Sequence, residues 1–173
     1  DQTEAMGMSD RIMLMKNGKV IQIGTPDELY NNPASPYVAD FFGASNIITG
    51  VVKEAGSEFT QMQIGNAIIT IYHNGVSRSI CASLTVAISP ERILLKGETA
   101  EAYTVANRIP GTVTDHLFHG NLVQILVDIG NDDSLTVQHL LQSKDSKAEL
   151  PQIGSSIVLE LEPSNVTVFG HNG

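Results

Sequence analysis

From Asn46 onward the chain is written in short β-branched runs punctuated by turn residues, and this grammar limits its fold more than any other feature. The runs fall at 47–52, 67–72, 84–88, 112–114, 122–129, 135–139, 156–161 and 166–169, with Asn-Gly, Gly-Asn and charged turns between them. Short strands joined by tight turns bury their apolar positions by closing into a small barrel or sandwich. The longest polar stretch, 142–154, reads as the one loop free to vary in length.

Two parts of this region echo each other. Ile48-Thr49-Gly50-Val51-Val52 resembles Ile109-Pro110-Gly111-Thr112-Val113. Val86-Ala87-Ile88-Ser89-Pro90-Glu91-Arg92-Ile93 resembles Leu159-Glu160-Leu161-Glu162-Pro163-Ser164-Asn165-Val166, a strand, a proline break and a further strand. The second copy carries an insertion. The echo predicts two related barrels, at about 46–97 and 105–170.

The first 45 residues follow another pattern. Residues 3–9 make a short helical turn, and 11–15 form an apolar run ahead of Lys16-Asn17-Gly18-Lys19 and the strand 20–24. Asn-Gly between two such runs predicts a β-hairpin, because both central turn positions favour positive φ. The first strand does not alternate, which predicts cover on both faces. Thr25-Pro26-Asp27-Glu28 reads as a capping box with proline at the first helical position, and Ser35-Pro36 repeats the start signal. Gly43 closes that second helix, which presents Val38, Ala39, Phe41 and Phe42. Helix, hairpin, helix, helix is too little to bury its own apolar face.

Charge and cysteine content exclude whole classes. Ten Lys+Arg stand against 19 Asp+Glu, a formal charge of -9, so polyphosphate and anionic lipid are repelled. A single cysteine, Cys81, rules out an intramolecular disulfide and any multi-cysteine zinc site, and fits a reducing compartment. No apolar run approaches the roughly 20 residues that cross a bilayer. The N-terminus also lacks a signal pattern, so a cytoplasmic location is expected.

Few residues are candidates for chemistry. His116 and His119 lie three apart beside Asp115, but Gly111, Gly120 and the strand grammar predict a turn there rather than a metal site. His73 and His139 read as surface or satisfied residues, and Cys81, between Ile80 and Ala82, as a small buried hydrophobe. Asp132-Asp133 reads as a hairpin tip, since it lacks the alternating oxygens and distal glutamate of a calcium loop. Ser89-Pro90-Glu91-Arg92 ends one strand and starts the next, and leaves Glu91 and Arg92 as candidates for a polar-ligand or barrel-bracing contact. No catalytic, cofactor-binding or metal site is predicted.

Several segments then resemble a known family. Asp1-Gln2-Thr3-Glu4-Ala5-Met6 with Ser9-Asp10-Arg11-Ile12 is similar to the stretch following the switch histidine in ATP-binding subunits of ABC importers. Lys16-Asn17-Gly18-Lys19 and Gln22-Ile23-Gly24-Thr25-Pro26-Asp27-Glu28-Leu29-Tyr30 resemble the next hairpin and helix. Pro33, Pro36-Tyr37-Val38-Ala39-Asp40-Phe41-Phe42-Gly43 and Asn46 resemble the passage into the regulatory region. Ser89-Pro90-Glu91-Arg92-Ile93, Gly111-Thr112-Val113 and Phe118-His119-Gly120 resemble a TOBE (transport-associated OB) domain.

The resemblance implies a mainly β fold of tandem OB-like barrels over 46–173, preceded over 1–45 by a hairpin–helix remnant of an α/β ATPase domain. It implies a regulatory, dimer-stabilising C-terminal region of a subunit that, intact, couples ATP hydrolysis to uptake of a polyamine, ferric iron or a sugar. The alternative is a domain sensing a solute or oxyanion. ATP and Mg would belong to the parent, because the chain has no GxxxxGK[ST] loop, Walker B strand, signature segment or switch histidine, and it is expected not to hydrolyse ATP. Expected partners are a second copy, membrane permease subunits and a solute-binding protein, at the cytoplasmic face of the membrane. Glu4 would serve docking. Nucleic acid is not expected: OB barrels stack bases on aromatics over a basic groove, and this chain has no Trp and 5% aromatics. The hairpin runs 12–15 and 20–23, covered in the parent, are expected to be exposed, disordered or self-paired here.

Overall fold

The computed structural model describes residues 2–43, 46–72, 80–96, 107–141 and 150–169. His73 and the barrel limits at 97, 105 and 170 lie outside them, as does most of the loop expected at 142–154.

The N-terminal unit forms as its signals dictate. Helix α1 (Gln2–Met8) precedes strands β1 (Ile12–Lys16) and β2 (Lys19–Gly24), whose turn holds Asn17 and Gly18 at φ 52° and 75°. In α2 (Pro26–Asn31) Thr25 Oγ1 accepts from Glu28 N at 3.2 Å while Glu28 Oε2 accepts from Thr25 N at 2.9 Å. Ser35 caps α3 (Pro36–Phe41), and Gly43 follows it at φ 113°. Leu14, Leu29, Val38 and Phe42 form a small core of their own. The expectation that β1 is covered on both faces is corrected here. Only Leu14 is buried, while Met13 and Met15 face outward at 53% and 50% exposure, so the unbroken apolar run has no second layer over it in this chain.

Ten described strands follow: β3 (Asn46–Ala55), β4 (Phe59–Ile64), β5 (Ala67–Tyr72), β6 (Ser83–Ile88), β7 (Ile93–Lys96), β8 (Asn107–His119), β9 (Leu122–Gly130), β10 (Asp133–Leu140), β11 (Ser156–Leu161) and β12 (Val166–Phe169). They make two antiparallel sheets, in orders β12-β6-β3-β4-β5 and β10-β9-β8-β11-β7. Each sheet takes its last strand from the other half of the sequence. The exchange happens at the two prolines of the echo, where 3-10 turns at Pro90–Arg92 and Pro163–Asn165 carry the chain across. Proline has no N–H for the ladder and a fixed φ, so it ends one strand and aims the next elsewhere. Hydrogen bonding therefore runs across the boundary expected near 97–105, and one continuous core spans both sheets.

The internal echo is physical. β3 and β8 each carry a bulge at matching places, between Val52 and Glu54 and between Val113 and Asp115. Gly50 and Gly111 sit at matching close approaches, where an added Cβ would stand 2.2 Å from Gln63 O or 2.5 Å from Val127 Cγ1. Asn46 and Asn107 open their strands, both buried, and each reaches a strand edge of the opposite sheet.

Three local expectations change. β4 is a strand absent from the β-branched runs, because Phe59, Gln61, Met62 and Gln63 carry an in–out alternation with few branched residues. His116 and His119 lie in β8, which continues through His119, and not in a turn. Cys81 is exposed rather than buried: it occupies the turn before β6 at φ 66°, with its N–H bound to Val52 O at 2.8 Å.

Candidate functional site

Glu91 and Arg92 face the N-terminal unit. Tyr30 Oη donates to Glu91 Oε1. Arg92 Nη2 donates to Asn31 Oδ1 at 2.6 Å, and its guanidinium lies 5.5 Å from the centre of the Tyr30 ring. The last turn of α2 is thereby held on the first 3-10 crossover. Gln22 holds the other side of the same turn, donating to Asn32 O at 3.1 Å and accepting from Ala34 N at 2.8 Å. Contacts thus run without a gap from the hairpin through α2 to the point where the sheets exchange strands. The contacts that Glu91 and Arg92 make here are with α2 of the N-terminal unit, rather than with a neighbouring barrel.

Helix α3 supplies the second attachment. Ala39 packs on Ala87 of β6 and Phe169 of β12, with Ile47 alongside. The small side chains at positions 39 and 87 let the helix backbone approach the sheet closely. In the other sheet the matching positions are polar: Glu160 stands where Ala87 does, and Arg108 where Ile47 does. Glu160 is 2% exposed, its carboxylate has no hydrogen-bond partner among the described residues, and Arg108 Nε lies 3.8 Å from Oε1. Among the described residues, the first sheet seats a helix on this pair of positions and the second does not.

A cleft of about 320 Å³ opens on the outer face of the second sheet. Thr112 lies between Asp128 and Ser156 in register, and Gly111 and Gly130 line the floor. The Asn66 side chain enters from the first sheet, over Gly130, where an added Cβ would fall 2.0 Å from Nδ2. Gly65 N donates to Asp133 Oδ2 at 2.9 Å and Asn131 Nδ2 donates to Gly65 O at 2.6 Å, which locks the two turns together at this rim.

The remaining candidates do not converge. Three residues apart on a strand, His116 and His119 point to opposite faces. His116 sits edge-on to Phe118, and no group of three or more metal-binding side chains is gathered among the described residues. His139 is half-buried on β10. Asp132 and Asp133 are a hairpin tip, with Asn131 and Asp132 at φ 54° and 63°. Glu4 is exposed on α1. Sequence reasoning missed Tyr30 and Asn31 as partners of the Glu91-Arg92 pair, because 61 residues separate each from its partner and no local pattern joins them. It also missed Asn66, which follows Gly65 between two strands, and Asp128, which lies within the strand run 122–129 with nothing local to single it out.

Comparison with known proteins now bears on this arrangement. Residues 86–169 match the family model of the TOBE domain. The chain carries a TOBE domain. Its boundaries include both 3-10 crossovers, all five strands of the second sheet and β12 of the first. The spermidine/putrescine import ATP-binding protein PotA of Thermobifida fusca is 30% identical over 169 residues, 98% of this chain and 43% of that protein. PotA of Protochlamydia amoebophila is 33% identical over 141 residues, 80% of this chain and 38% of that protein. The chain thus spans less than half the length of these relatives, and it fits a TOBE-containing C-terminal portion of an ABC importer ATP-binding subunit. Among solved structures, the molybdate-bound cytoplasmic protein ModG is similar in fold, with a TM-score of 0.57 at 18% identity, over 72% of this chain and 95% of that one. The two sheets and the TOBE match fit tandem OB-like barrels.

Proposed function

We propose that the chain is the regulatory, dimer-stabilising C-terminal part of an ABC importer ATP-binding subunit whose full-length form couples ATP hydrolysis to solute uptake. The observation that carries this reading is the double attachment of the N-terminal unit. α3 is seated on Ala87 and Phe169, and α2 is braced by Glu91 and Arg92. A barrel module fixed in this way to the end of a motor domain keeps two motor halves at high effective concentration if the modules pair. ATP and Mg would be bound by the full-length subunit, beside membrane permease subunits and a solute-binding protein at the cytoplasmic face. The names of the relatives favour a polyamine over ferric iron or a sugar as the solute. Sedimentation equilibrium of the 173-residue chain tests the pairing. A concentration-dependent dimer is expected, and a monomer throughout would overturn it. A phosphate-release assay on the same sample should read background.

A second reading, small-molecule sensing, is supported by the cleft at Thr112, Asp128 and Ser156 together with the fold likeness to ModG. Ligand-induced amide shifts in that cleft would separate it from a purely structural role.

A further inference from the structure

The two sheets are built on one pattern, so the strand residues of the cleft have counterparts in the first sheet with which they can be compared. In the second sheet the row across three strands is Ser156, Thr112, Asp128. In the first sheet the same row is Ser83, Val51, Gln63. Gln63 folds back on its own turn, with Nε2 donating to Gly65 O at 3.3 Å, and the neighbouring hydroxyls of Thr49 and Thr85 bond each other at 2.9 Å. There Thr49 and Thr85 pair with each other, Gln63 turns to its own loop, and an apolar valine stands at the centre. In the second sheet Pro110 and Val158 take the places of Thr49 and Thr85, and a hydroxyl replaces the valine. The uncharged amide of Gln63 is replaced by the carboxylate of Asp128.

Asp128 Oδ1 accepts from Gly130 N at 2.8 Å, which fixes the carboxylate and leaves Oδ2 for a ligand. Among the described residues it is the one charged side chain lining the cleft, and no described lysine or arginine lines it. An oxyanion entering here would meet a fixed negative charge in a chain of formal charge -9, with no cation among the described lining residues to offset it. A small ammonium group would meet a held carboxylate, with the Thr112 and Ser156 hydroxyls and the Asn66 carbonyl as further acceptors. Gly130 leaves room for the Asn66 side chain at the rim, because an added Cβ there would fall 2.0 Å from Asn66 Nδ2.

We infer that the Asn66, Thr112, Asp128 and Ser156 cleft is a binding site for the ammonium group of a small organic amine. This rests on the sensing reading and reverses the charge of ligand that the likeness to ModG would suggest.

The test is an NMR titration of the 173-residue chain with n-butylammonium, with 1-butanol and molybdate as parallel arms. Saturable amide shifts at Gly111, Thr112, Gly130 and Ser156 with butylammonium alone are expected. Asp128→Asn should weaken this binding by roughly tenfold or more, as loss of a charge-assisted hydrogen bond does. Gln63→Ala, at the matching place in the first sheet, should leave it unchanged. Shifts at the same amides with molybdate and not with butylammonium would overturn the ligand class while keeping the sensing reading. Absence of saturable shifts in every arm would overturn both. Undiminished binding to Asp128→Asn would also overturn the assignment.

Discussion

Asn46 grips the backbone of Thr136 at both ends: Nδ2 donates to Thr136 O at 2.8 Å and Oδ1 accepts from Thr136 N at 2.7 Å. The same grip recurs from the other sheet, where Asn107 binds Thr70 N and O at 2.7 and 2.9 Å. Each asparagine replaces the strand that would otherwise have to pair with an exposed sheet edge. β5 and β10 are end strands, and such edges recruit other chains unless covered.

Asn46→Ala and Asn107→Ala should each destabilise the chain by about 2 kcal/mol, since each leaves a buried N–H and C=O unpaired. Asn→Asp should cost at least as much, because a carboxylate cannot donate to the threonine carbonyl. Urea unfolding followed by far-ultraviolet circular dichroism measures this, and equal losses at the two sites would reflect their matched geometry.

Much of this fold was legible in the sequence, and the limits have physical causes. Asn17-Gly18, Thr25-Pro26 and Ser35-Pro36 act within a few residues, so their turn and caps appear where the sequence puts them. The proline breaks at Pro90 and Pro163 were equally plain, but not their consequence, since nothing local to Ile93 or Val166 says which sheet it will enter. β4 was hidden because alternation with Gln61 and Gln63 replaces branched side chains. Cys81 was misread because its left-handed turn depends on where Val52 lies. At the candidate site, Glu91 and Arg92 stood out from their neighbours. Their partners came from a helix distant in sequence, and Asp128 acquires meaning only beside Gln63.

The matched glycines should differ in tolerance. At Gly50 an alanine Cβ would meet the Gln63 carbonyl oxygen at 2.2 Å, a backbone atom that cannot move without opening the ladder. At Gly111 the nearest atom, 2.5 Å away, belongs to the Val127 side chain, and Asp128 O follows at 2.8 Å. Gly50→Ala should therefore cost more than Gly111→Ala, with overpacking penalties of about 1–3 kcal/mol typical of such sites. Thermal unfolding of the two variants gives the order directly.

The brace at Glu91 and Arg92 is exposed and should be worth little in global stability. Tyr30→Phe or Arg92→Ala is expected to lower it by about 0.5–1 kcal/mol, the range of exposed polar and ionic contacts. Local protection should change far more. Hydrogen exchange in α2 should speed up in both variants while β8 and β9, in the core of the second sheet, stay protected. Unchanged exchange in α2 would mean that Leu29 and Val38 alone hold the helix in place.

The apolar outer face of the hairpin gives a further expectation. Met13, Met15, Val20 and Ile23 are each about half exposed, which is costly in water and favours association. Met13→Glu combined with Ile23→Lys should reduce any self-association driven by this face without unfolding the unit, since Leu14 carries the inward packing. Sedimentation equilibrium separates the cases: a dimer that survives both charges must pair through the barrels.

The seat of α3 can be tested by giving one sheet the residue of the other. Ala87 lies under Ala39 and is 3% exposed, while its counterpart Glu160 is a buried carboxylate near Arg108. Ala87→Glu would place a charge between α3 and β6, with Ile47 standing where Arg108 stands in the other sheet. An unpaired charge cannot stay buried at such a contact, and breaking a buried pair by removing one partner typically costs about 3–5 kcal/mol. The helix should lift off instead, because Val38 and Phe42 can remain packed on Leu14 and Leu29 within the N-terminal unit. Limited proteolysis should then cut between Phe42 and Asn46 and release barrels with an intact circular dichroism spectrum. Adding Ile47→Arg to supply the missing counter-ion should not restore the docked state, since a polar pair still denies Ala39 its apolar seat. If Ala87→Glu unfolded both parts together at one midpoint, the N-terminal unit would be an inseparable part of the barrel core.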